Sequence, residues 1–417
     1  MDKIIIHGGR KLKGTVKISG SKNAALPILM ASLLTDEPCY IENVPSLADI
    51  DTTIGLLTFL GKKIDKNDHR VYIHPDGHLK HTAPYELVRK MRASNLVMGP
   101  ILTRLGKVDV SLPGGCAIGA RPIDIHLKAF EKLGAEIKLE AGYVKLNAKK
   151  LIGGKVHFRF PSVGATENIL LAAVLARGKT VIDNAAKEPE ITDLAGFLNK
   201  MGAKIKGAGT KRIVIEGVNK LHGAKYQVIP DRIEAATYLI ASAITKGDVK
   251  LVNCEPNHIK TIISKLKKSG MKITTDKTSI CAKWVRSLDP ESIKTAVYPA
   301  FPTDVQAQWM ALMATIKGNS KVEENVFENR FLHVAELQRL GADLKIKGRT
   351  VYIKGAKDLS GAPMMVSDLR AGAALILGAL AAKGKSVISR IYHLDRGYEH
   401  LERKLKGLGA DIRRVTK

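Results

Sequence analysis

Long apolar runs and aromatic residues are both scarce in this chain of 417 residues. No apolar run approaches the roughly 20 residues that a membrane-spanning helix needs. The first residues lack the apolar stretch and small-residue cleavage site of a signal peptide. Aromatic residues make up only 5% of the chain, which leaves few side chains for stacking on single-stranded nucleic acid. We therefore expect a cytoplasmic protein without a membrane span.

Cysteine is rare as well, with four residues in the whole chain. They form no C-x-x-C pair, so neither a disulfide framework nor a zinc ribbon is indicated. The twelve histidines are scattered and include no H-E-x-x-H motif, so we expect no metal site. Cys39, Cys254 and Cys281 lie in strand patterns and are interpreted as small hydrophobic residues.

Acidic residues are outnumbered, because 67 lysines and arginines against 40 aspartates and glutamates give a net charge of +27. Such a surplus suggests an anionic partner, with nucleic acid, a phosphorylated substrate or a membrane surface as candidates. The alternative is that many lysines only solvate exposed helix faces. In the segment 258–272, for example, apolar residues and lysines take opposite sides of a helix.

A five-residue pattern, of which LGAEI is one copy, recurs six times. The copies are separated by 73, 68, 68, 71 and 68 residues, a regularity that chance would not maintain. The glycine of each copy fits a helix end, where a left-handed backbone costs glycine little, and a strand pattern follows it. The copies begin at Leu60, Leu133, Met201, Ser269, Leu340 and Leu408.

The same succession of elements surrounds each glycine. An amphipathic helix precedes it, a short strand precedes that helix, and a helix that is apolar on nearly every side comes before the strand. A helix without a polar face is buried all around. We therefore predict an α/β fold of βαβαββ repeats, each with one central and one outer helix, in two globular domains of three repeats each.

The two ends of the chain do not fit complete repeats. The sixth repeat stops at residues 410–417 without its last strand, whereas strand patterns at 3–9 and 14–19 have no repeat to join. The simplest closure pairs the two ends, which predicts a discontinuous domain of residues 1–21 and 230–417 and a continuous domain of residues 22–229. A cleft between the two domains is the expected place for an active site.

Polar residues stand at the start of each buried helix. Helix N-termini carry unpaired N–H groups and partial positive charge, and they therefore favour anions. For Ser162 and Asp304 the ordinary alternative is N-capping. Lys22, Arg92 and Arg370 oppose the helix dipole at these positions, which favours a functional role.

The segment LPGGCAIGARP, residues 112–122, contains three glycines and two prolines, which is typical of a loop with an unusual backbone. Cys116 lies at its centre and Arg121 near its end. A neighbouring cation would lower the pKa of the thiol and make it reactive. Free cysteines are more often inert and buried, and the residues alone leave both alternatives open.

Segments along the whole chain together resemble one known family. They are SGSKNAALPIL, MRAS, SLPGGCAIGARPIDIH, PSVGATENI, AFPTDVQAQ, VFENRF, SDLRAGAALIL and IYHLDRGYEHL. The chain resembles the enolpyruvyl transferases, and within them the members that act on UDP-N-acetylglucosamine in peptidoglycan synthesis. The combination of GGC-x-IGARP, FPTD and DRGYE is highly specific. The resemblance implies the family fold, an inside-out α/β barrel of three βαβαββ repeats in each of two domains.

The resemblance also implies a reaction. The enolpyruvyl group of phosphoenolpyruvate is transferred to the 3′-hydroxyl of UDP-N-acetylglucosamine by addition and then elimination, with release of phosphate. No metal or organic cofactor is implied, and the implied partners are the two substrates. Cysteine at position 116 implies sensitivity to the epoxide fosfomycin.

Site residues are implied by the same resemblance. The catalytic set is Asp304 as general base, Cys116 as proton donor, Lys22 and Arg396. Phosphoenolpyruvate contacts are implied for Lys22, Asn23, Arg121, Arg330, Arg370 and Arg396, with Arg330 and Arg370 on the carboxylate side. UDP-N-acetylglucosamine contacts are implied for Asn23, Arg92, Arg121, Pro122, Ile123, Asp124, Ile125, Ser162, Val163, Gly164, Asp304 and Val326.

Two alternatives remain on the sequence alone. An enolpyruvylshikimate-phosphate synthase would share the fold and the phosphoenolpyruvate donor, but the loop cysteine and the GGC-x-IGARP segment argue against it. A basic repeat protein that binds nucleic acid would bind with a steep salt dependence. Such a protein has no use for Cys116 or for Asp304 in a basic cleft.

Overall fold

The chain folds into two compact units. The computed structural model describes residues 2–75, 77–89, 91–111, 123–355 and 358–416, without the side chain of Arg92. Within these ranges, unit 1 contains residues 2–19 and 230–416, and unit 2 contains residues 20–111 and 123–229.

Helices and short strands alternate along the described residues. The helices are α1 (Lys22–Ala31), α2 (Ala48–Phe59), α3 (Tyr85–Val88), α4 (Met98–Leu105), α5 (Asp124–Lys132), α6 (Val163–Ala173), α7 (Pro189–Lys200), α8 (Arg232–Ile244), α9 (Lys260–Ser269), α10 (Gln306–Ala314), α11 (His333–Arg339), α12 (Leu369–Ala381) and α13 (Leu401–Gly407). The strands are β1 (Lys3–His7), β2 (Lys13–Lys17), β3 (Cys39–Glu42), β4 (Ile64–Asn67), β5 (Arg70–Ile73), β6 (Thr82–Ala83), β7 (Lys107–Ser111), β8 (Glu136–Glu140), β9 (Tyr143–Asn147), β10 (Lys155–His157), β11 (Lys179–Asp183), β12 (Lys204–Lys206), β13 (Arg212–Glu216), β14 (Lys225–Gln227), β15 (Asp248–Val252), β16 (Lys272–Thr275), β17 (Ser279–Lys283), β18 (Ile293–Lys294), β19 (Gly318–Glu323), β20 (Asp343–Lys347), β21 (Thr350–Gly355), β22 (Pro363–Met365), β23 (Lys385–Ser389) and β24 (Asp411–Val415).

The described strands form six four-stranded sheets, three in each unit. Unit 2 has the orders β14-β3-β5-β4, β6-β7-β9-β8 and β10-β11-β13-β12. Unit 1 has the orders β16-β17-β15-β2, β18-β19-β21-β20 and β22-β23-β1-β24. In every sheet the first two strands of a repeat are parallel and the remaining pairs are antiparallel. The prediction of an α/β fold built from βαβαββ repeats is confirmed.

Three strands reach their sheets from distant parts of the chain. Strand β1 lies between β23 and β24 and supplies the fourth strand of the sixth repeat. Strand β2 pairs with β15 in unit 1, whereas β14 returns to pair with β3 in unit 2. Each sheet therefore has the same topology although three repeats take a strand from far along the sequence.

The recurring glycines all adopt a left-handed backbone after a helix. Their φ angles lie between 88° and 121°, a region that residues with a Cβ adopt at a cost. This conformation ends the outer helix and turns the chain into the following strand. The six glycines are Gly61, Gly134, Gly202, Gly270, Gly341 and Gly409.

The apolar helices lie at the centre of each unit. In α6, α8, α10 and α12, nearly every side chain is buried, as their lack of a polar face predicts. Each unit has its own apolar core. Among the described residues, no helix combines the length and the apolar character needed to cross a membrane.

Candidate functional site

In unit 1 one carboxylate is shared by two arginines. Asp304 lies in the 3₁₀ turn before α10, Arg330 lies before α11, and Arg370 is the second residue of α12. Arg330 Nη2 donates to Asp304 Oδ1 at 2.7 Å. Arg370 Nη2 donates to Asp304 Oδ2 at 3.0 Å. The structure therefore brings together three predicted residues that come from two repeats.

Both arginine side chains are almost fully buried, at 6% exposure, whereas the Asp304 side chain is 28% exposed. Burial by itself would lower the pKa of Arg370, but the charge of Asp304, together with smaller contributions from Tyr398 and Asp231, outweighs burial and holds that pKa above its ordinary value. Among the described residues, Arg370 Nη1 has no hydrogen-bond partner. Two guanidinium cations around one carboxylate leave a surplus positive charge, which suits an anionic ligand.

Aromatic rings and a polar network support the arginines. The Arg330 guanidinium lies 5.0 Å from the ring centroid of Phe327, and the Arg370 guanidinium lies 5.5 Å from that of Tyr398. Gln308 Nε2 donates to the Asp304 backbone carbonyl at 2.9 Å and to the Tyr398 hydroxyl at 3.1 Å. The two rings stabilise the guanidinium groups beside them, because a cation near an aromatic face is attracted to it.

Two residues that sequence reasoning missed lie behind this cluster. Arg330 Nη1 donates to the Thr303 hydroxyl at 2.7 Å, and Thr303 donates to Glu324 Oε2 at 2.8 Å. The Glu324 side chain also accepts from the backbone N–H of Val326 at 2.8 Å. Thr303 belongs to the FPTD motif, but nothing in the sequence indicated that Glu324 is its partner.

Lys22 provides the predicted cation in unit 2. It is the first residue of α1, whose N-cap is Ser21. Lys22 Nζ lies 3.1 Å from Asp49 Oδ2, and the two side chains are 12% and 5% exposed. This largely buried ion pair holds the lysine at the helix N-terminus, where it opposes the dipole and needs a nearby anion. Asn23 follows it within α1 and is half-buried.

The start of α6 contains three further predicted residues. Ser162 is an N-cap, because its hydroxyl accepts from Ala165 N at 3.3 Å, so the ordinary capping alternative holds for this side chain. Val163 and Gly164 form the first turn of the helix. A Cβ on Gly164 would lie 3.3 Å from His126 Cε1, so the glycine permits close approach of the imidazole.

Residues 123–125 open α5. Ile123 is the N-cap position, and Asp124 and Ile125 are the first two helical residues. Asp124 Oδ2 accepts from the exposed Arg159 Nη2 at 2.7 Å. A pair this open to solvent contributes little to stability.

The remaining predicted residues differ in how far the structure describes them. Val326 follows β19, and Arg396 ends the 3₁₀ segment Ile391–Arg396. Arg92 begins the 3₁₀ segment Arg92–Val97, but its side chain is not described. Cys116, Arg121 and Pro122 lie outside the described residues.

Within residues 2–75, 77–89, 91–111, 123–355 and 358–416, no cluster of three or more histidine, cysteine, aspartate or glutamate side chains is placed to hold a metal ion.

Comparison with known proteins identifies the family. A family model described as EPSP synthase (3-phosphoshikimate 1-carboxyvinyltransferase) matches residues 6–405. The chain belongs to the enolpyruvyl transferase family. Carboxyvinyl and enolpyruvyl are two names for the same transferred group, so the family description and the resemblance agree.

Curated relatives of this enolpyruvyl transferase match it over its whole length. A protein of Endomicrobium trichonymphae is 66% identical over 414 residues, which cover 99% of both chains. A protein of Desulfosudis oleivorans is 55% identical over 416 residues, which cover 100% of both chains. Both are named UDP-N-acetylglucosamine 1-carboxyvinyltransferase.

Solved structures of the family share the fold. The enolpyruvyl transferase NikO from Streptomyces tendae is 25% identical, with a TM-score of 0.90 over 100% of this chain and 99% of that one. EPSP synthase from Acinetobacter baumannii is 19% identical, with a TM-score of 0.78 over 100% of both chains. The second likeness concerns the fold alone.

Proposed function

We propose that this chain is a UDP-N-acetylglucosamine 1-carboxyvinyltransferase. It transfers the enolpyruvyl group of phosphoenolpyruvate to the 3′-hydroxyl of UDP-N-acetylglucosamine and releases phosphate, an early step in peptidoglycan synthesis. The observation that carries this proposal is the 66% identity, over 99% of both chains, to a relative of that name. Seven further relatives at 51–55% identity have the same name, one of them with a numeral added.

The arginine pair of unit 1 suits the donor. Phosphoenolpyruvate has a carboxylate and a phosphate, and planar guanidinium groups match a carboxylate in a bidentate manner. Arg370 Nη1, which is buried without a partner among the described residues, gains one when such an anion binds. Arg330 and Arg370 are therefore proposed to bind the carboxylate, and Lys22, Arg121 and Arg396 the phosphate.

The reaction requires a proton at one carbon and a base at one oxygen. In the addition, the sugar 3′-oxygen bonds to C2 of phosphoenolpyruvate, the methylene carbon gains a proton, and the hydroxyl proton leaves to a base. In the elimination, the C2–phosphate bond breaks and the methyl group loses a proton, which restores the double bond. We propose Asp304 as the base and Cys116 as the acid. Asp304 is partly exposed, as contact with a substrate requires.

The acceptor substrate distinguishes the proposed activity from that of an enolpyruvylshikimate-phosphate synthase. The contacts proposed for the nucleotide sugar are those of residues 123–125 and 162–164 in unit 2, with Asn23, Arg92, Arg121, Pro122, Asp304 and Val326. These residues come from both units of the chain. A shikimate phosphate acceptor and a nucleic-acid partner remain the alternatives to be tested.

Phosphate release tests the function directly. Release from phosphoenolpyruvate is measured with UDP-N-acetylglucosamine, with shikimate 3-phosphate, and with neither, for the wild type, Cys116→Ala and Asp304→Asn. We expect release only with the nucleotide sugar and a fall in kcat of about 10²–10⁴-fold in Asp304→Asn, because its amide accepts no proton. No release with UDP-N-acetylglucosamine contradicts the proposal. Undiminished release by Cys116→Ala or Asp304→Asn removes that residue from its role.

A further inference from the structure

A buried carboxylate lies behind the arginine pair in unit 1. Glu324 immediately follows β19 and is 1% exposed. It does not belong to the set of residues proposed to touch either substrate. A buried carboxylate without compensation costs much free energy, so its hydrogen bonds indicate what it stabilises.

The two oxygens of Glu324 have separate partners. Oε1 accepts three hydrogen bonds, from the Thr295 hydroxyl at 2.9 Å, Val326 N at 2.8 Å and Phe327 N at 3.1 Å. Oε2 accepts one, from the Thr303 hydroxyl at 2.8 Å. One oxygen therefore holds the loop that contains Val326, and the other holds the turn that contains Asp304.

The Thr303 hydroxyl links Glu324 to Arg330 through two hydrogen bonds. A hydroxyl has one proton, and the Thr303 hydroxyl donates it to the Glu324 carboxyl group. Since that proton points to Glu324 Oε2, the oxygen lone pairs of Thr303 are left for Arg330 Nη1 at 2.7 Å. Arg330 then places its other terminal nitrogen on Asp304 Oδ1 at 2.7 Å.

We propose that Glu324 is a positioning residue. Acting through Thr303, it holds Arg330 and Asp304 in the orientation in which they contact phosphoenolpyruvate and the acceptor substrate. This inference rests on the proposed function and adds to it a group that touches no substrate. In this proposal, Oε1 of Glu324 holds the loop that contains Val326 and Oε2 holds the turn that contains Asp304. Mutations can therefore test the two contacts separately.

Glu324→Gln preserves the shape of the side chain but reverses its hydrogen bond with Thr303. The three donors at Oε1 require the amide oxygen at that place, which leaves the NH₂ group facing Thr303, where it can only donate. The Thr303 proton then has no acceptor there, and the Arg330 bond weakens. We expect the KM for phosphoenolpyruvate to rise about tenfold and the KM for UDP-N-acetylglucosamine to change by less than about twofold.

Companion variants test the route through Thr303. Thr303→Val, which lacks the hydroxyl, is expected to raise the same KM by a similar factor, whereas Thr303→Ser is expected to stay near the wild type. The double variant Glu324→Gln/Thr303→Val is expected to be no worse than the worse single variant, because both remove one connection. Multiplied effects in the double variant overturn the proposal.

Thr295→Val is the matched control. It also removes a buried hydroxyl from Glu324, but at Oε1, away from Arg330. We expect a lower melting temperature with an unchanged KM for phosphoenolpyruvate. An equal rise of this KM in Thr295→Val, or no rise in Glu324→Gln, overturns the positioning role. A wild type that releases no phosphate with UDP-N-acetylglucosamine overturns the proposed function instead, and this inference with it.

Discussion

Single residues of the site show which parts of it a sequence can reveal. Asp304, Arg330 and Arg370 were named through a resemblance that covers whole motifs, and the structure brings them into contact. Thr303 and Glu324 were missed because a hydroxyl and a carboxylate acquire a role only from the groups they face. Their pairing spans 21 residues of sequence, which no local pattern reports.

Another buried group near this cluster makes stability depend on pH. His333, the first residue of α11, is 2% exposed, and its Nε2 has no hydrogen-bond partner among the described residues. Burial is the main cause that lowers the pKa of His333 to about 4; the charge of Asp368 opposes this shift, and the charge of Arg330 adds to it. The imidazole is therefore neutral in the folded protein at pH 7.

The sign of the pH effect follows from the two titrations. An unfolded histidine titrates near pH 6.5, so between about pH 6.5 and pH 4 the unfolded chain binds a proton that the folded chain does not. The free energy of unfolding must fall as the pH falls through this window, by about 3 kcal/mol for this group.

Denaturant titrations of the wild type and His333→Gln at pH 7, 6, 5 and 4.5 isolate this contribution. Other titrating groups are common to both proteins, so the difference between the two curves reports His333 together with the neighbouring charges that its titration affects. We expect the wild type to lose more stability than the variant as the pH falls. A difference that stays constant over this range contradicts the assignment.

At the scale of elements, the buried helices were predictable and their contacts were not. Apolar residues on every side indicated α6 as a central helix, and its side chains are buried. Asn168 within it bonds to the α4 backbone, with Gly99 N donating to Asn168 Oδ1 at 3.0 Å. The first strands of two repeats, β6 and β18, contain only two residues each, too few for a periodic pattern.

Two helical glycines differ in what surrounds them. A Cβ on Gly99 in α4 would lie 2.5 Å from the backbone oxygen of Asn168, so α4 and α6 pack closely because the side chain is absent. A Cβ on Gly55 in α2 would meet no atom within 4 Å. The same substitution therefore has opposite consequences at the two positions.

We expect Gly99→Ala to lower the free energy of unfolding by about 1–3 kcal/mol, since backbone atoms must move apart. Gly55→Ala is expected to raise it by about 0.5–1 kcal/mol, because alanine favours the helix. Melting temperatures of the two variants and the wild type provide the comparison. A stable Gly99→Ala protein would show that the two helices adjust without cost.

At the scale of the whole molecule, the repeat was visible in the sequence and the pairing of the two chain ends was expected from it, but the return of β14 to β3 was not. The period of about 70 residues predicted six similar repeats, and the six sheets have one topology. Strand β14 joins β3, which precedes it by about 185 residues, because the chain leaves unit 2 only after completing its sheets. All strands of the unit 2 sheets lie within residues 20–229.

Unit 1, by contrast, needs both ends of the chain. Residues 2–19 supply β1, which separates β24 from β23, and β2, which covers the edge of β15. Lys3 lies directly opposite Val415 in an antiparallel pair, so a tight turn can join the two ends. The division into two domains therefore predicts how fragments of the chain behave.

We expect residues 20–229 to fold alone, and residues 230–416 to fold when residues 2–19 are fused after them through two glycines. The matched control is residues 230–416 without this extension, in which two sheets lack a strand and β24 has no neighbour. Circular dichroism during heating should show a cooperative transition for the first two fragments and not for the third. If the control melts as cooperatively as the fused fragment, the N-terminal strands are not required and the discontinuous domain is wrong. If the fused fragment stays unfolded while the whole chain folds, unit 1 depends on unit 2 and the two are not independent domains.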